Sequence, residues 1–520
     1  MKPMSILWKC ANSPFNGKMK NSPQSRFLAW LLGLVLLPGV LAGQTRPNIL
    51  WIVADDQVPY VMGAYGNKQV RTPRLDRLAA QGMRFDRAFC TSPLCTASRQ
   101  SFFTGLYPRT IGVTQLKTSL PADAVTLAQV LKSAGYDTAA IGKMHFNSEL
   151  KHGFDLRLDL EDHKAWLKAK GREPLPAGIE VQPDWKPFVD PAAVWLNSAC
   201  RPLGFVKADM AGTWFAQRAA EYLSQPRQRP FFLMVGFYQP HSPFDFPVEY
   251  RGRHQAGEPS VPRPGPGDDW QIPEVFRSLT DGEKQGIIAA YYTSVEFLDE
   301  TVGRVLDALD QSGKSRETLV IFLGDNGYLL GQHGRFEKHC GYEEAVRCPL
   351  LVRYPGRVKP GGQTAALVEF IDLFPTILDY AGLPTPANVQ GRSLLALLAG
   401  RTQRHRDQVF IEYSENEEAC VRTERWKLIY CTGKRLRTDG FATGHPLPGR
   451  TVQLFDLEQD PGEMTNVAAR PENAELVVRL TAQLAEHLKS TARQPELVPQ
   501  TGDVQAVLDY CLQPSDHPSP

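Results

Sequence analysis

Two pairs of neighbouring polar residues carry the clearest chemistry in the sequence. Asp55-Asp56 and Asp325-Asn326 each follow a short apolar run closely. Three carboxylates and an amide oxygen form a donor set that suits a hard divalent cation, Ca²⁺ or Mg²⁺. Either pair alone is equally typical of a helix N-cap, because Asp and Asn cap helices well. The two pairs together favour a metal site if the fold brings them to one place.

The segment Cys95-Thr96-Ala97-Ser98-Arg99 combines a nucleophilic side chain with a nearby cation, and a helical pattern follows it. A cysteine at a helix N-terminus beside an arginine is expected to have a lowered pKa and to lie where anions bind. Other interpretations stay open. Cys95 could be half of a disulfide or a buried apolar residue. In a Cys–His protease it would be the thiolate nucleophile, with His145 or His241 as base.

Four apolar runs predict the strands that position these residues. They are Asn48–Val53, Asp137–Ile141, Phe231–Phe237 and Thr318–Leu323. The polar residues at their ends are Asp55-Asp56, Lys143 with His145, His241, and Asp325-Asn326. Helical patterns, the clearest over 283–309, lie between the runs. This alternation predicts an α/β fold with a large, mostly parallel sheet flanked by helices. Ligands bind beyond the carboxyl ends of such strands, so we expect the polar residues to converge there.

The last part of the chain predicts a smaller unit. Three short strand candidates, Gln408–Tyr413, Ala419–Thr423 and Trp426–Tyr430, precede a helical stretch at 472–491. We interpret this pattern as an antiparallel sheet with a helix. The predicted organisation is therefore a catalytic α/β domain over 44–400 and a C-terminal subdomain over 401–520.

The overall charge limits the classes of partner. The 520 residues hold 58 Lys and Arg against 56 Asp and Glu, a formal net charge of +2. Non-specific nucleic-acid binding needs a clustered basic excess, so no nucleic-acid partner is expected. After residue 45 no apolar run approaches the roughly 18 residues of a membrane-spanning helix, so no stable membrane span is expected.

The N-terminus is typical of an export signal. Basic residues precede the apolar run 27–41, and small residues follow at 42 and 43. This order predicts a signal peptide over 1–43, a mature chain from about Gln44, and a periplasmic or secreted location. An uncleaved anchor is the alternative, and Met19 is an alternative start.

The segment that begins at Cys95 resembles the sulfatase signature Cys-x-Pro/Ala-Ser-Arg. Further stretches resemble sulfatase segments in the expected order: RPNILWIVADDQ, TGLYP, AIGKMH, LGDNGYLLGQHG and LFDLEQDPGEMTN. The resemblance covers nearly the whole mature chain and implies an alkaline-phosphatase-like fold. It also implies that a maturation enzyme oxidises Cys95 to Cα-formylglycine. Ala97 stands where proline is commoner, which leaves open which maturation system acts on this chain.

The resemblance further implies a calcium site, with Mg²⁺ as the alternative ion. Asp55, Asp56, Asp325 and Asn326 resemble the calcium ligands of the family. The modified side chain at Cys95 joins them in that resemblance.

The resemblance implies catalytic roles for five other residues. Arg99 resembles the residue that holds the formylglycine in place. Lys143 resembles the sulfate-binding lysine, and His145 resembles the base on the formylglycine diol. His241 and Lys338 resemble the pair at the bridging ester oxygen.

These features favour an exported sulfuric-ester hydrolase. The run GYEEAVRCPLLVRYPG resembles the glucosamine-6-sulfatase and iduronate-2-sulfatase groups, which favours a sulfated carbohydrate such as a glycosaminoglycan as substrate. A phosphonate or phosphate monoester hydrolase on the same scaffold is one alternative. A non-catalytic carbohydrate-binding relic with unmodified Cys95 is another.

Two of the nine cysteines, Cys420 and Cys431, flank a predicted hairpin, and a disulfide between them is one hypothesis. Cys10 would leave with the signal peptide. Seven cysteines besides Cys95 then remain, and this odd number requires one thiol that is free or pairs between chains.

Overall fold

The computed structural model describes residues 46–179, 204–435, 437, 440–445 and 449–517. The predicted signal peptide lies outside these residues. Within them, no helix combines the length and the apolar character that crossing a membrane requires.

A large sheet dominates the described part of the chain, and nine strands form it. In chain order they are β1 (Asn48–Asp55), β2 (Met83–Phe89), β3 (Asp137–Gly142), β4 (Leu156–Leu158), β5 (Phe231–Pro240), β6 (Thr318–Gly324), β7 (Arg347–Arg353), β8 (Gly362–Thr364) and β9 (Val368–Glu369). The spatial order is β4-β3-β5-β1-β6-β7-β2-β8, and β9 also pairs with β2.

Most neighbouring strands of this sheet are parallel. Trp51 of β1 pairs with Met234 of β5 on one side and with Ile321 of β6 on the other. Only β7 runs against its neighbours β6 and β2. The predicted α/β class is confirmed, and the four strands identified in the sequence are the central group β3, β5, β1 and β6.

Helices cover both faces of the sheet. Their bounds are α1 (Pro73–Gln81), α2 (Cys95–Thr104), α3 (Pro108–Ile111), α4 (Leu127–Ser133), α5 (Leu160–Lys170), α6 (Ala211–Ser224), α7 (Glu274–Arg277), α8 (Asp281–Gln311), α9 (Glu343–Val346), α10 (Leu373–Ala381), α11 (Leu395–Leu398), α12 (Ala474–Ser490) and α13 (Val504–Cys511). The helix predicted over 283–309 is α8. It begins after a capping box in which Thr280 and Glu283 satisfy each other's backbone N–H groups.

Alternation along β1 explains why both faces are covered. Trp51 and Val53 belong to one apolar cluster with Phe102 of α2, whereas Leu50 and Ile52 belong to another that includes residues of α6 and α8. Successive side chains of a strand point to opposite faces, so an apolar strand needs partners on each side.

The C-terminal region forms a second, antiparallel sheet. Its strands are β10 (Gln408–Tyr413), β11 (Glu418–Thr423), β12 (Trp426–Cys431) and β13 (Thr451–Asp456), in that spatial order. The first three were predicted, and β13 was not. Helix α12 packs its apolar side, including Leu480 and Leu484, against this sheet. The domain boundary near residue 400 stays a prediction.

The hypothesis of a Cys420–Cys431 disulfide is wrong. Cys420 lies opposite Ile429, and Cys431 lies opposite Glu418. The two cysteines are therefore diagonal neighbours, a spacing of about 7–8 Å that exceeds the reach of a disulfide. Both side chains are free thiols, and Cys420 is fully buried.

Candidate active site

The carboxyl ends of four adjacent strands meet at one place, as the sequence predicts. Asp55 is the last residue of β1, and Asp56 follows with a φ of 63°. Asp325 follows β6, Lys143 follows β3 and His241 follows β5. Since these strands are parallel neighbours, their polar ends share one edge of the sheet. The left-handed backbone at Asp56 is a strained conformation of the kind found at functional sites.

The acidic residues at this edge leave buried oxygen atoms without hydrogen-bond partners. These atoms are Asp55 Oδ1, Asp56 Oδ2 and Asn326 Oδ1. The side chains of Asp55, Asp56, Asp325 and Asn326 are at most 1% exposed. Carboxylate oxygens of Asp55 and Asp56 also lie within 4.8 Å of a ring nitrogen of His241. Orphaned oxygens in a dry carboxylate cluster fit a hard divalent cation.

The helix-capping alternative for these residues finds no support in the structure. The first helical turn after β1 starts at Pro59, with Val58 as its N-cap and no side-chain cap. Asp325 and Asn326 precede no helix directly, and the next helical turn starts at Gln332. Both pairs therefore face the sheet edge and each other.

Three buried cations compensate the carboxylates. Lys143 forms an ion pair with Asp55, and Lys338 forms one with Asp56 Oδ1. Arg99 Nε donates to Asp325 Oδ2 at 2.6 Å. Burial acts to raise the pKa of Asp55, but Lys143, His241 and Arg99 outweigh it and hold that pKa well below its usual value.

The pKa values of Asp325 and Lys338 are both raised, for different reasons. Burial raises the pKa of Asp325 to about 6, because the positive charges near it only partly offset the loss of hydration. Burial would lower the pKa of Lys338, but the carboxylate of Asp56 raises it above its usual value. Lys338 therefore stays charged, and a dication would favour the charged form of Asp325.

Cys95 is the first residue of α2 and is 2% exposed. The sequence predicts a lowered pKa for it, and this prediction is wrong. Burial raises the pKa of the Cys95 thiol, and Lys143 and Lys338 only partly offset that effect. The unmodified side chain is therefore a poor thiolate, which argues against the Cys–His protease alternative.

The two histidines occupy different positions. His145 Nε2 lies 3.1 Å from Thr96 Oγ1, next in sequence to Cys95. Burial lowers the pKa of His145 well below its usual value, and Lys143 and Arg99 add to this effect. His241 Nδ1 lies 2.7 Å from the carbonyl oxygen of Ser242, and its Nε2 lies 3.8 Å from Asp56 Oδ2.

A cavity of about 520 Å³, here called the reaction cavity, opens onto this cluster. Its lining includes six of the predicted residues: Asp56, Cys95, Lys143, His145, His241 and Lys338. Arg99 lies behind the cavity, where it contacts Asp325 and the carbonyl oxygen of Lys143.

Sequence reasoning missed two residues of this site. The ring of Tyr238 lies 5.4 Å from Lys143 Nζ and lines the reaction cavity. Thr96 contacts His145 and donates to the carbonyl oxygen of Leu116 at 2.7 Å. The position of Tyr238 three residues before His241 was a signal for the first. The place of Thr96 within the signature was a signal for the second.

The sulfatase family model matches residues 47–383, and the model of the N-sulphoglucosamine sulphohydrolase C-terminal region matches residues 331–490. The chain therefore belongs to the sulfatase family and is a sulfuric-ester hydrolase. This confirms the resemblance seen in the sequence.

Curated relatives cover most of the chain. A steryl-sulfatase of Mus musculus is 30% identical over 85% of this chain and 82% of its own length. An arylsulfatase of Clostridium perfringens is 28% identical over 85% and 95%. An N-acetylglucosamine-6-O-sulfatase of Bacteroides thetaiotaomicron is 26% identical over 93% and 94%.

Solved structures share the fold. A phosphonate monoester hydrolase of Agrobacterium radiobacter has a TM-score of 0.71 and 24% identity, covering 86% of this chain and 96% of its own. A protein in complex with its substrate D-glucosamine-2-N,6-O-disulfate has a TM-score of 0.68 and 23% identity, covering 86% and 98%. At such identities the likeness supports the fold but says nothing about the substrate.

Proposed function

We propose that this sulfatase is an exported enzyme that removes sulfate from a sulfated carbohydrate, using a formylglycine at position 95 and one bound Ca²⁺ or Mg²⁺. The observation that carries the proposal is the meeting of Cys95, a buried carboxylate cluster and two lysines at one cavity. Once oxidised and hydrated, residue 95 supplies a hydroxyl nucleophile together with a second hydroxyl that allows the sulfate to be released.

Asp55, Asp56, Asp325 and Asn326 would hold the cation, as the orphaned oxygens of Asp55, Asp56 and Asn326 support. A bound dication supplies positive charge that polarises oxygen ligands and stabilises negative charge in the transition state. Arg99 fixes Asp325 and, through Lys143, the end of β3. Residue 95 at the start of α2 would complete the ligand set.

Lys143 and Lys338 bind the sulfate oxygens in this proposal. Each ammonium group is buried and already faces a carboxylate, so its position is fixed before substrate arrives. Preorganised charge in a dry site stabilises developing negative charge without reorganisation. A sulfate ester presents three such oxygens.

The two histidines serve different steps. His145 accepts a proton from the side chain at position 95, because it contacts the neighbouring Thr96 and its lowered pKa keeps it neutral and able to accept. His241 or Lys338 protonates the bridging oxygen of the leaving alcohol. His241 follows β5 and Lys338 lies in the segment after β6, whereas His145 lies after β3. The two histidines therefore reach the reaction cavity from different strand ends.

Names among the relatives support a carbohydrate substrate. They include the N-acetylglucosamine-6-O-sulfatase and a Δ4,5-hexuronate-2-O-sulfatase of Bacteroides thetaiotaomicron, the latter 27% identical over 88% of this chain. A cavity of about 520 Å³ has room for a sugar ring. The side chains of Glu149, Arg157, Asp159 and Glu415 along it offer hydrogen bonds to hydroxyl groups.

Two measurements test the proposal. The intact mass of the peptide that contains Cys95, taken from protein exported by its native host, should match formylglycine. A panel of sulfated disaccharides and aryl sulfates should then show sulfate release, with the sugars preferred. An unmodified cysteine in active protein would refute the formylglycine part, and activity confined to aryl esters would refute the carbohydrate part.

The phosphonate hydrolase alternative rests on the shared scaffold alone. Solved phosphonate monoester hydrolases share the fold at TM-scores of 0.71 and 0.72. Matched sulfate, phosphate and phosphonate esters of one alcohol would separate the two activities. A higher kcat/KM for the phosphonate would favour the alternative.

Export is tested separately. N-terminal sequencing of the protein recovered outside the cytoplasm should give a mature chain that begins near Gln44. A product that still carries residues 1–43 would contradict cleavage.

A further inference from the structure

A second cavity adjoins the reaction cavity and has a different charge. Its volume is about 710 Å³, and we call it the basic cavity. The two cavities share Leu160, Tyr238, His241 and Ser242 in their linings. Tyr238 and His241 belong to the candidate active site and also line the basic cavity. The basic cavity therefore begins at the active site, where the reaction cavity ends.

One side of α5 forms a wall of the basic cavity. Lys164, Leu167 and Lys168 line it at the three- and four-residue spacing that places side chains on one helix face. Arg172 continues this wall just beyond the helix, and its guanidinium lies 4.2 Å from the ring centre of Phe205. The wall therefore presents apolar surface beneath three cationic groups.

The charges of this wall are incompletely compensated within the described residues. Lys168 and Arg172 are exposed and have no carboxylate in ion-pair range there. Lys164 has an exposed ion pair with Glu161 at 2.7 Å. Two acidic residues, Asp209 and Asp245, also line the cavity. Asp209 forms an ion pair with Lys170 at 2.7 Å and accepts a hydrogen bond from the backbone N–H of Glu173.

Acidic residues line the reaction cavity as well. They are Glu149, Asp159, Glu161 and Glu415, and two of them, Asp159 and Glu161, flank Leu160 at the start of α5, where the two cavities adjoin. Arg157 is engaged by the carbonyl oxygens of Ser148 and Leu150. These carboxylates repel an anionic chain, whereas Lys168 and Arg172 attract it toward the other end of α5, so charge favours that direction.

We propose that the basic cavity is a subsite for the neighbouring sugar of an anionic oligosaccharide, and that Lys168 and Arg172 bind a second anionic group on it, a sulfate or a carboxylate. This inference rests on the proposed function, since it assumes a carbohydrate sulfate at the reaction cavity. Tyr238 separates the sugar that loses sulfate from the sugar that is only held. Specificity for multiply charged glycans follows from this subsite.

The test compares three disaccharides that share the hydrolysed sulfate. Their second sugar is neutral, carries a carboxylate, or carries a sulfate. The Lys168→Gln/Arg172→Gln double variant should lose about tenfold in kcat/KM for the charged substrates, through KM, because two exposed ion pairs are removed. The kcat should stay within about twofold, since neither residue touches the reacting groups.

A matched control removes the same charge elsewhere. Arg357 and Lys359 are exposed and follow β7, which runs antiparallel, so they lie at the opposite edge of the sheet. The Arg357→Gln/Lys359→Gln variant should have the same kcat/KM values as the wild-type protein. The preference of the wild-type protein for charged disaccharides should also fall as the salt concentration is raised.

The outcomes separate this inference from the proposed function. No sulfate release from any disaccharide would contradict the proposed function itself. Release with the same kcat/KM for all three substrates, or an equal loss for the neutral and charged ones in the Lys168/Arg172 variant, would overturn the subsite alone. A loss for only the sulfated or only the carboxylated sugar identifies which anion the subsite binds.

Discussion

Arg99 Nε donates a hydrogen bond to Asp325 Oδ2 at 2.6 Å, and neither residue is accessible to solvent. This contact joins helix α2, which begins at Cys95, to the end of strand β6. The same guanidinium donates to the carbonyl oxygen of Lys143 at the end of β3. One side chain therefore sets the position of Cys95 relative to two of the four strand ends.

Loss of Arg99 should destabilise the protein. Arg99→Ala leaves Asp325 buried without its closest cation, and breaking a buried pair in this way costs about 3–5 kcal/mol. Arg99→Lys should recover only part of this, because an ammonium cannot reach both partners as the planar guanidinium does. Denaturant unfolding measures the change, with the exposed Arg404→Ala as the control. A change below about 1 kcal/mol, the size typical of exposed ion pairs, would contradict this account.

Cys95→Ala should abolish sulfate release while leaving folding and export unchanged. The proposed nucleophile derives from this side chain, and the loss of one sulfur atom beside a cavity removes little packing. Cys95→Ser should be equally inactive unless the host has a maturation enzyme that accepts serine. Retained activity in purified Cys95→Ala protein, with an unchanged unfolding midpoint, would exclude the assignment.

One hard divalent cation per chain is expected at the carboxylate cluster. Asp325→Asn removes a negative charge from this site and should weaken binding of the cation, with activity falling by orders of magnitude. Elemental analysis of the purified protein measures the ion, and chelation followed by return of Ca²⁺ or Mg²⁺ tests its role. Fully active protein that contains zinc or no metal would be inconsistent with the proposal.

His145 and His241 should give different kinetic defects. His145→Ala should release about one alcohol per enzyme and then stall, because the later proton transfer is lost. His241→Ala should slow the release of sugar alcohols about 10²–10⁴-fold, the usual value of positioned proton transfer, and should affect activated aryl esters least. Rapid mixing with both substrate types measures the two effects. Equal slowing of aryl and sugar sulfates by His241→Ala would contradict the division of roles.

Stability should fall as pH rises because of one buried carboxyl group, Asp299, which lines neither cavity. Asp299 is 3% exposed, accepts the backbone N–H groups of Arg74 and Leu75, and has a pKa that burial raises to about 7. Because the pKa of Asp299 is higher in the folded state, this group stabilises the folded protein. Its contribution is fully present below pH 3.8, the pKa of the unfolded state, and is lost as pH rises through about 7.

The comparison uses Asp299→Asn, which cannot ionise. The free energy of unfolding of this variant, relative to that of the wild-type protein, should rise by a few kcal/mol between pH 5 and pH 8. This size follows from a shift of about three pKa units. Asp379→Asn, at an exposed position, is the control. An equal difference at both pH values would show that Asp299 keeps an ordinary pKa.

Local patterns determined the elements and the polar residues at their ends. The runs before Asp55, Lys143, His241 and Asp325 are apolar and short, as buried parallel strands require, so their identity and shared edge could be predicted. The short strands around Cys420 could also be identified in the sequence. These features depend on neighbours along the chain, and the sequence contains that information.

Other features were decided only when distant segments packed. The antiparallel direction of β7 depends on its pairing with β6 and β2, which no local pattern encodes. The diagonal register of Cys420 and Cys431 excluded the disulfide, because register is set by cross-strand packing. The residue that Lys338 contacts, Asp56, lies 282 positions away.

The pKa of Cys95 shows the same limit most clearly. Its place at a helix N-terminus beside Arg99 predicted a lowered value, and those features are present in the structure. The tertiary fold buries the thiol completely enough that the loss of hydration exceeds the attraction of Lys143 and Lys338. Hydration depends on every segment that covers a group, so only the assembled structure could decide it.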